Sequence, residues 1–251
     1  MNDFKIAVLS DIHSNSLALK EVLRDIKNRD ITNIVNLGDS LYGPLDPAET
    51  AELLIEMNIT SVSGNEDRIL IEETNAGHNS PSLQFTKNLL AESHKEWLLA
   101  LPLTKVFLDE ILLFHGTPSN DHEYLLHKIC NGRLTLCDEE EIIKKLKGVE
   151  QKIILCGHDH TPNLITLSDG RLILNPGSVG CPAYFDDSAP VHAVETGSPF
   201  ARYSIISKIN SDLFVENIAL PYDWNSAAEL ALQNGRVDWV SWLKYGRTKI
   251  K

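Results

Sequence analysis

Seven residues able to bind a divalent ion recur at one kind of place in the chain. Asp11, His13, Asp39, Asn65, His115, His158 and His160 each fall just past a short apolar run. Carboxylate, imidazole and amide donors in combination suit borderline ions such as Mn, Fe, Ni or Zn. Asp11 and His13 are two residues apart, as are His158 and His160, so in locally extended backbone each pair would project to one side. If the seven converge, the chemistry is that of a divalent metal centre.

Convergence depends on the elements that carry them. Residues 6–9 (IAVL) form a continuous apolar run, as in a strand buried on both faces, and end at Ser10-Asp11-Ile12-His13. Ser14 to Ser16 offer N-caps for a helix whose Leu19, Val22, Leu23 and Ile26 recur at helical spacing. Residues 34–37 make a second strand ending at Gly38-Asp39, and Asp46-Pro47-Ala48-Glu49 starts a helix through Met57. A third strand, 59–62, closes at Gly64-Asn65-Glu66-Asp67. Residues 82–101 read as one helix stopped by Pro102. Residues 103–114 read as two strands ending in His115-Gly116, 139–147 as a charged helix, and 153–156 as a strand ending in Gly157-His158-Asp159-His160. In open α/β sheets ligands bind along the edge where strands end, the place all seven candidates occupy. Strands near 163–167, 171–174, 201–208 and 212–219 predict a second, more antiparallel sheet. Pro176 to Pro199 reads as a long loop, and Asp186 and Asp187 lie either on a lid that selects substrate or on an exposed excursion. Helices over 225–234 and 238–245 are each followed by a glycine, Gly235 and Gly246, at a C-cap position.

The ordered blocks DIH, GDSLYGP, GNED, HGTP and GHDHTP resemble the calcineurin-like metallophosphoesterase superfamily, whose pattern is D-x-H, G-D, G-N-H-(D/E), H-G and G-H-x-H. The longer stretches GDSLYGPLDP, HGTPSND and NPGSVG are similar to its small bacterial phosphodiesterase branch, and the likeness runs from about residue 4 to 220. The resemblance implies an α/β (α+β) four-layer αββα sandwich of two mixed sheets flanked by helices. Residues 1–251 are expected as a single domain, with 221–251 a C-terminal helical extension packed on it. One ion would take Asp11, His13 and His160, the second Asn65, His115 and His158, and Asp39 would bridge both. The two ions are expected as manganese, with iron, nickel or zinc as alternatives. In the family, solvent bridging the ions attacks phosphorus in line. Two divalent ions against two carboxylates leave a positive centre that attracts a phosphoester.

One position departs from the pattern. Glu66 stands where the family has a histidine that contacts phosphate and helps protonate the leaving group. Glu66 is the candidate catalytic residue by position, yet a carboxylate beside two cations is held ionised and makes a poor acid. It is expected to turn away, coordinate a metal or contact water, leaving protonation to solvent or another residue. Asp67 and Arg68 next to it are candidates for supporting the ligands and for contacting phosphate.

The expected activity is hydrolysis of small soluble phosphodiesters. The alternatives are a phosphomonoesterase or protein phosphatase, a dinucleoside polyphosphate hydrolase and, in another class, a catalytically weak binding scaffold, for which Glu66 is the only support. In 251 residues, 23 Lys plus Arg against 35 Asp plus Glu give a net charge of −12, which argues against a nucleic-acid partner. No apolar run is long enough to span a bilayer, no signal-peptide layout opens the chain, and the four cysteines (Cys130, Cys137, Cys156, Cys181) lack CxxC spacing. A cytoplasmic protein with no membrane partner is expected. Trp239, Val240, Trp242 and Leu243 form an aromatic stripe that packs on its own sheet or, in a homo-oligomer, on a second subunit. His78, His94, His122, His127 and His192 are read as ordinary, since His122 and His127 are five apart rather than the four of a zincin helix. Asn175-Pro176-Gly177-Ser178 is either a plain turn or a turn lining the metal pocket. Walker A, GxGxxG and GxSxG motifs are absent.

Overall fold

The computed structural model describes residues 3–72 and 80–248; His78 lies outside them. In chain order the elements begin with β1 (Phe4–Leu9), α1 (Ser16–Asn28), β2 (Asn33–Asn36), α2 (Pro47–Glu56), β3 (Thr60–Ser61), α3 (Asn65–Ile71), α4 (Pro81–Leu89) and α5 (Glu92–Ala100). The middle holds β4 (Thr104–Phe107), β5 (Ile111–Phe114), β6 (His127–Cys130), β7 (Arg133–Leu136), α6 (Glu139–Lys145), β8 (Ile153–Leu155), β9 (Asn163–Thr166) and β10 (Leu172–Asn175). The chain closes with β11 (Ala183–Asp186), β12 (His192–Glu195), β13 (Ala201–Ile209), β14 (Asp212–Leu220), α7 (Trp224–Gln233) and α8 (Val237–Tyr245).

Alternation along the buried strands explains their unbroken apolar runs, because each strand feeds two cores. Ile6, Val8, Val35 and Leu37 from one sheet meet Ile111, Leu113, Leu155 and Leu174 from another in an apolar layer between them. The opposite face of β1, with Ala7 and Leu9, packs on Leu19 and Val22 of α1 and Leu54 of α2. The opposite face of β5 and β8, with Leu112, Phe114 and Ile154, packs on Ile142 and Leu146. The layers therefore run helix, sheet, sheet, helix. The first sheet has the order β14-β13-β1-β2-β3 and the second β4-β5-β8-β10-β9. In the first, β1, β2 and β3 are parallel; in the second, β5, β8 and β10 are parallel.

Three sequence expectations change. The strands at 201–209 and 212–220 belong to the first sheet rather than the second, with β13 antiparallel to β1 in the register Ile6↔Ile206. Strand pattern shows that a segment is extended, not which edge it joins. The 82–101 helix is two, broken where Leu90 and Ala91 are extended; Leu90 goes into the core and the His94 Nδ1 accepts from the Ala91 N–H to start α5. Pro176 to Pro199 is not one loop, since β11 and β12 lie within it as part of a third sheet, β11-β12-β7-β6. Its β6 and β7 are joined by Asn131-Gly132, both at positive φ, the two-residue hairpin turn that Asn-Gly favours.

At the C-terminal end Gly246 caps α8 in the left-handed conformation, and Trp239, Trp242 and Leu243 are buried within the chain's own core. Leu155 sits fully buried in the layer between the two large sheets. Leu155→Ala should lower unfolding free energy by about 2–5 kcal/mol in urea titration; a loss under about 1 kcal/mol would contradict that packing.

Candidate metal centre

The parallel strands of both large sheets end at a shared edge. There Asp11 N–H donates to the Gly38 carbonyl at 3.0 Å, His13 N–H to the Asp39 carbonyl at 3.0 Å, and Gly157 N–H to the His115 carbonyl at 2.8 Å. Asp11, His13 and His160 form one cluster of ligand atoms, Asp39, His115 and His158 a second, and Asp39 recurs with His13 and Glu66 in a third. Asp11 Oδ1 lies 3.3 Å from His160 Nε2 and 3.9 Å from His115 Nε2, which joins the first two clusters.

The paired ligands do not converge through extended backbone. Asp11, His13, Asp39, His158 and His160 all have φ between 50° and 74°, the left-handed region that non-glycine residues avoid. Such a conformation costs of order 1–3 kcal/mol and persists only where the surroundings over-determine it. The surroundings are visible here. Asp67, buried, accepts from the N–H groups of Ser40, Leu41 and Gly64 and so ties the loop after β2 to the loop after β3. Gly64 has no room for a Cβ, which would run into Asp39. Asp159 accepts from His127 Nδ1–H at 2.8 Å, Asn175 Nδ2 at 2.9 Å and Thr161 N–H at 2.9 Å, fixing the turn between His158 and His160. Asn175 thus braces the ligand loop from behind, while Ser178 Oγ donates to the Asp11 carbonyl. The NPGS segment is both turn and support.

Hydrogen bonding fixes which imidazole nitrogen is bare. A carbonyl can only accept, so the nitrogen facing it carries the hydrogen. His115 donates from Nδ1 to Leu37, His160 from Nδ1 to Cys181, His13 from Nδ1 to Tyr42, and His158 from Nε2 to His122. In their neutral forms His13 and His160 then face each other with two unprotonated Nε2 atoms 3.0 Å apart, and His115 turns a bare Nε2 toward Asp39 Oδ2 at 3.2 Å. Lone pair against lone pair, beside a carboxylate, is repulsive unless a cation lies between them. A separation near 3 Å is also what two nitrogens about 2.0–2.1 Å from one ion require. Among the described residues Asp11 Oδ1, Asn65 Oδ1 and His115 Nε2 are buried with no hydrogen-bond partner, so the donor set fits divalent ions.

Charge at the site follows the same pattern. Burial would lift Asp11, but His160 and His115 outweigh it and hold the carboxyl at about 2. Burial opposes protonation of His115 and His160, yet Asp39 beside the first and Asp11 beside the second push both up to about 10. Without an ion, protons take its place.

Of the three expectations for Glu66 the structure removes one, turning away, and keeps it within reach of a metal with His13 and Asp39; for Arg68 it removes the phosphate contact. Glu66 does not turn away: its Oε2 lies 3.1 Å from His13 Nδ1, and its backbone N–H donates to Asp39 Oδ1 at 2.9 Å. Arg68 is not offered to phosphate, because its guanidinium is engaged by Asp121 at 2.7 and 3.1 Å and by Glu72.

Residues 4–197 match the calcineurin-like phosphoesterase superfamily domain. The chain belongs to that superfamily. A protein of Methanocaldococcus jannaschii, described as uncharacterized, is 28% identical over 251 residues, covering 94% of this chain and 95% of its own. The crystal structure of a metallophosphoesterase from Sphaerobacter thermophilus is 24% identical and superposes with a TM-score of 0.76, covering 98% of this chain and all of that one. The fold is therefore the metallophosphoesterase fold, with a third sheet beside the site.

That third sheet brings residues of this phosphoesterase which the sequence motifs do not mark. The Tyr124 ring lies 4.6 Å from the His158 ring, and the Tyr184 ring 4.6 Å from the His160 ring. His192 bonds Tyr124, and His127 braces Asp159, so two histidines without a motif still serve the site. The only signal for them was their residue type, since each sits on a short strand or turn without period.

An incoming ion must displace the protons on His115 and His160. Apparent manganese affinity should therefore rise with pH from the ordinary imidazole value of 6.5 up to about 10, with proton release on binding. Calorimetric titration in buffers of different ionisation enthalpy checks both, and an affinity flat or falling across that window would contradict the assignment.

Proposed function

We propose that the protein is a dinuclear metal-dependent phosphodiesterase acting on small soluble substrates in the cytoplasm. The observation that carries this reading is the pair of Nε2 atoms of His13 and His160, opposed at 3.0 Å, with Asp11 Oδ1 beside them. Asp11, His13 and His160 would hold one ion, Asn65, His115 and His158 the other, and Asp39 both. Bound there, divalent ions, manganese first, supply Lewis-acid activation of solvent and of the phosphoryl oxygens.

The chain's own residues do the rest. The carbonyls of Leu37, Tyr42, His122 and Cys181 hold the four imidazoles in the tautomer that binds metal, as second partners of ligands do. Glu66 shares the His13 Nδ1–H with the Tyr42 carbonyl, so it acts on the ligand rather than on the leaving group. With Arg68 tied to Asp121 and Glu72, substrate anions are attracted by the ions themselves. The −12 net charge keeps polynucleotides away and leaves small phosphoesters as the substrate class.

Metal-stripped protein re-supplied with manganese should hydrolyse bis(p-nitrophenyl) phosphate faster than p-nitrophenyl phosphate, and Asp39→Asn should reduce both by at least about a hundredfold. A faster monoester would make it a phosphatase. Turnover without metal, or full activity in Asp39→Asn, would overturn the dinuclear reading.

A further inference from the structure

A phosphoester whose leaving oxygen is basic needs a proton as the P–O bond breaks, and Glu66 is poorly placed to give one. Its carboxylate is engaged with His13. Among the other polar groups beside the centre, Asp67 accepts three backbone N–H groups and Asp159 accepts from His127, Asn175 and Thr161. Both are occupied as acceptors that hold the ligand loops.

The third sheet holds a chain of hydrogen bonds able to pass a proton. Tyr184 Oη lies 2.6 Å from Tyr124 Oη, and Tyr124 Oη lies 2.8 Å from His192 Nε2. The His192 Nδ1–H donates to the Pro190 carbonyl at 2.9 Å. One phenol ring packs on His158, from the second ion's cluster, and the other on His160, from the first, so the linked phenols touch a ligand of each cluster. The three residues come from separate places, Tyr124 before β6, Tyr184 on β11 and His192 on β12. None belongs to a sequence motif of the superfamily pattern.

The direction of donation depends on one proton. With His192 neutral, Nε2 accepts, so Tyr124 donates to His192 and Tyr184 donates to Tyr124. With His192 protonated the chain reverses. Nε2–H donates to Tyr124, Tyr124 donates to Tyr184, and the Tyr184 O–H, whose ring packs on His160, is left free to donate to another acceptor.

We propose that His192, Tyr124 and Tyr184 form a proton relay that protonates the departing oxygen, in the role the family gives to the histidine replaced here by Glu66. The inference rests on the phosphoesterase reading and extends it to esters with basic, aliphatic or sugar-like leaving groups. In the step, an activated solvent oxygen forms a bond to phosphorus and the bond to the leaving oxygen breaks. The leaving oxygen takes the Tyr184 proton, Tyr184 takes that of Tyr124, and Tyr124 takes that of His192. The imidazolium becomes neutral imidazole, both phenols end unchanged, and His192, itself buried, regains its proton back along the same hydrogen bonds when solvent replaces the product. Facing His192 are the two phenols and Asp186, its cross-strand partner on β11.

The test uses the manganese-loaded full chain on two diesters that differ only in the leaving group, methyl p-nitrophenyl phosphate and methyl phenyl phosphate. The readout is the ratio of kcat for the phenyl ester to kcat for the nitrophenyl ester. In Tyr184→Phe and in His192→Gln the ratio should fall by about a hundredfold. The double variant should fall no further, because the groups act in series. Manganese content equal to wild type shows that the ligands remain in place. An unchanged ratio in both variants, whatever the absolute rates, overturns the relay while leaving the phosphoesterase reading intact. If wild type hydrolyses neither ester with manganese bound, both fall together.

Discussion

In their neutral forms the Nε2 atoms of His13 and His160 set two lone pairs 3.0 Å apart beside a carboxylate, and this structure turns on that contact. His13 arrives from the end of the first sheet and His160 from the end of the second, so the contact also joins the two halves of the sandwich. Each ring is fixed from behind by a carbonyl that accepts its other N–H, which leaves no tautomer able to relieve the repulsion. A proton relieves it partly, and a divalent ion relieves it while satisfying Asp11 as well. The fold holds donors in a geometry that is unfavourable until charge is supplied.

Holding them there has a structural cost that the rest of the site offsets. Five of the seven candidate ligands adopt left-handed backbone, and the groups that impose it are not ligands: Asp67, Asp159, Asn175 and the space denied beside Gly64. Those groups are buried, mostly aimed at backbone N–H, and anchored to strands whose apolar faces make the central core. Rigid strands, pinned turns and unpaired donors form a single argument. The loops are strained because ligands must meet, and they tolerate the strain because they are pinned to buried, closely packed strands.

Much of this was readable from residue types in order. The apolar runs at 6–9, 34–37 and 153–156 marked strands buried on both faces, and the polar blocks after them marked the shared edge. Asp46-Pro47 located α2, and Gly246 the end of α8. What could not be read was long-range. Nothing local in 201–220 tells that it flanks β1, and the left-handed turns at His13 and His160 are imposed from neighbouring loops. The third sheet was hidden because its strands are four residues long and polar, with Asn131-Gly132 as its one local sign. Tyr124, Tyr184 and His192 followed it out of sight. Glu66 was visible as a departure, but its attachment to His13 is a property of three dimensions.

The donor set is arranged to take two ions side by side. Electron paramagnetic resonance of the manganese-loaded protein, with the metal content measured on the same sample, tests it most directly. Two ions per chain with an exchange-coupled spectrum is the result the geometry predicts. A single ion per chain, or two giving only the spectrum of isolated manganese, would contradict it.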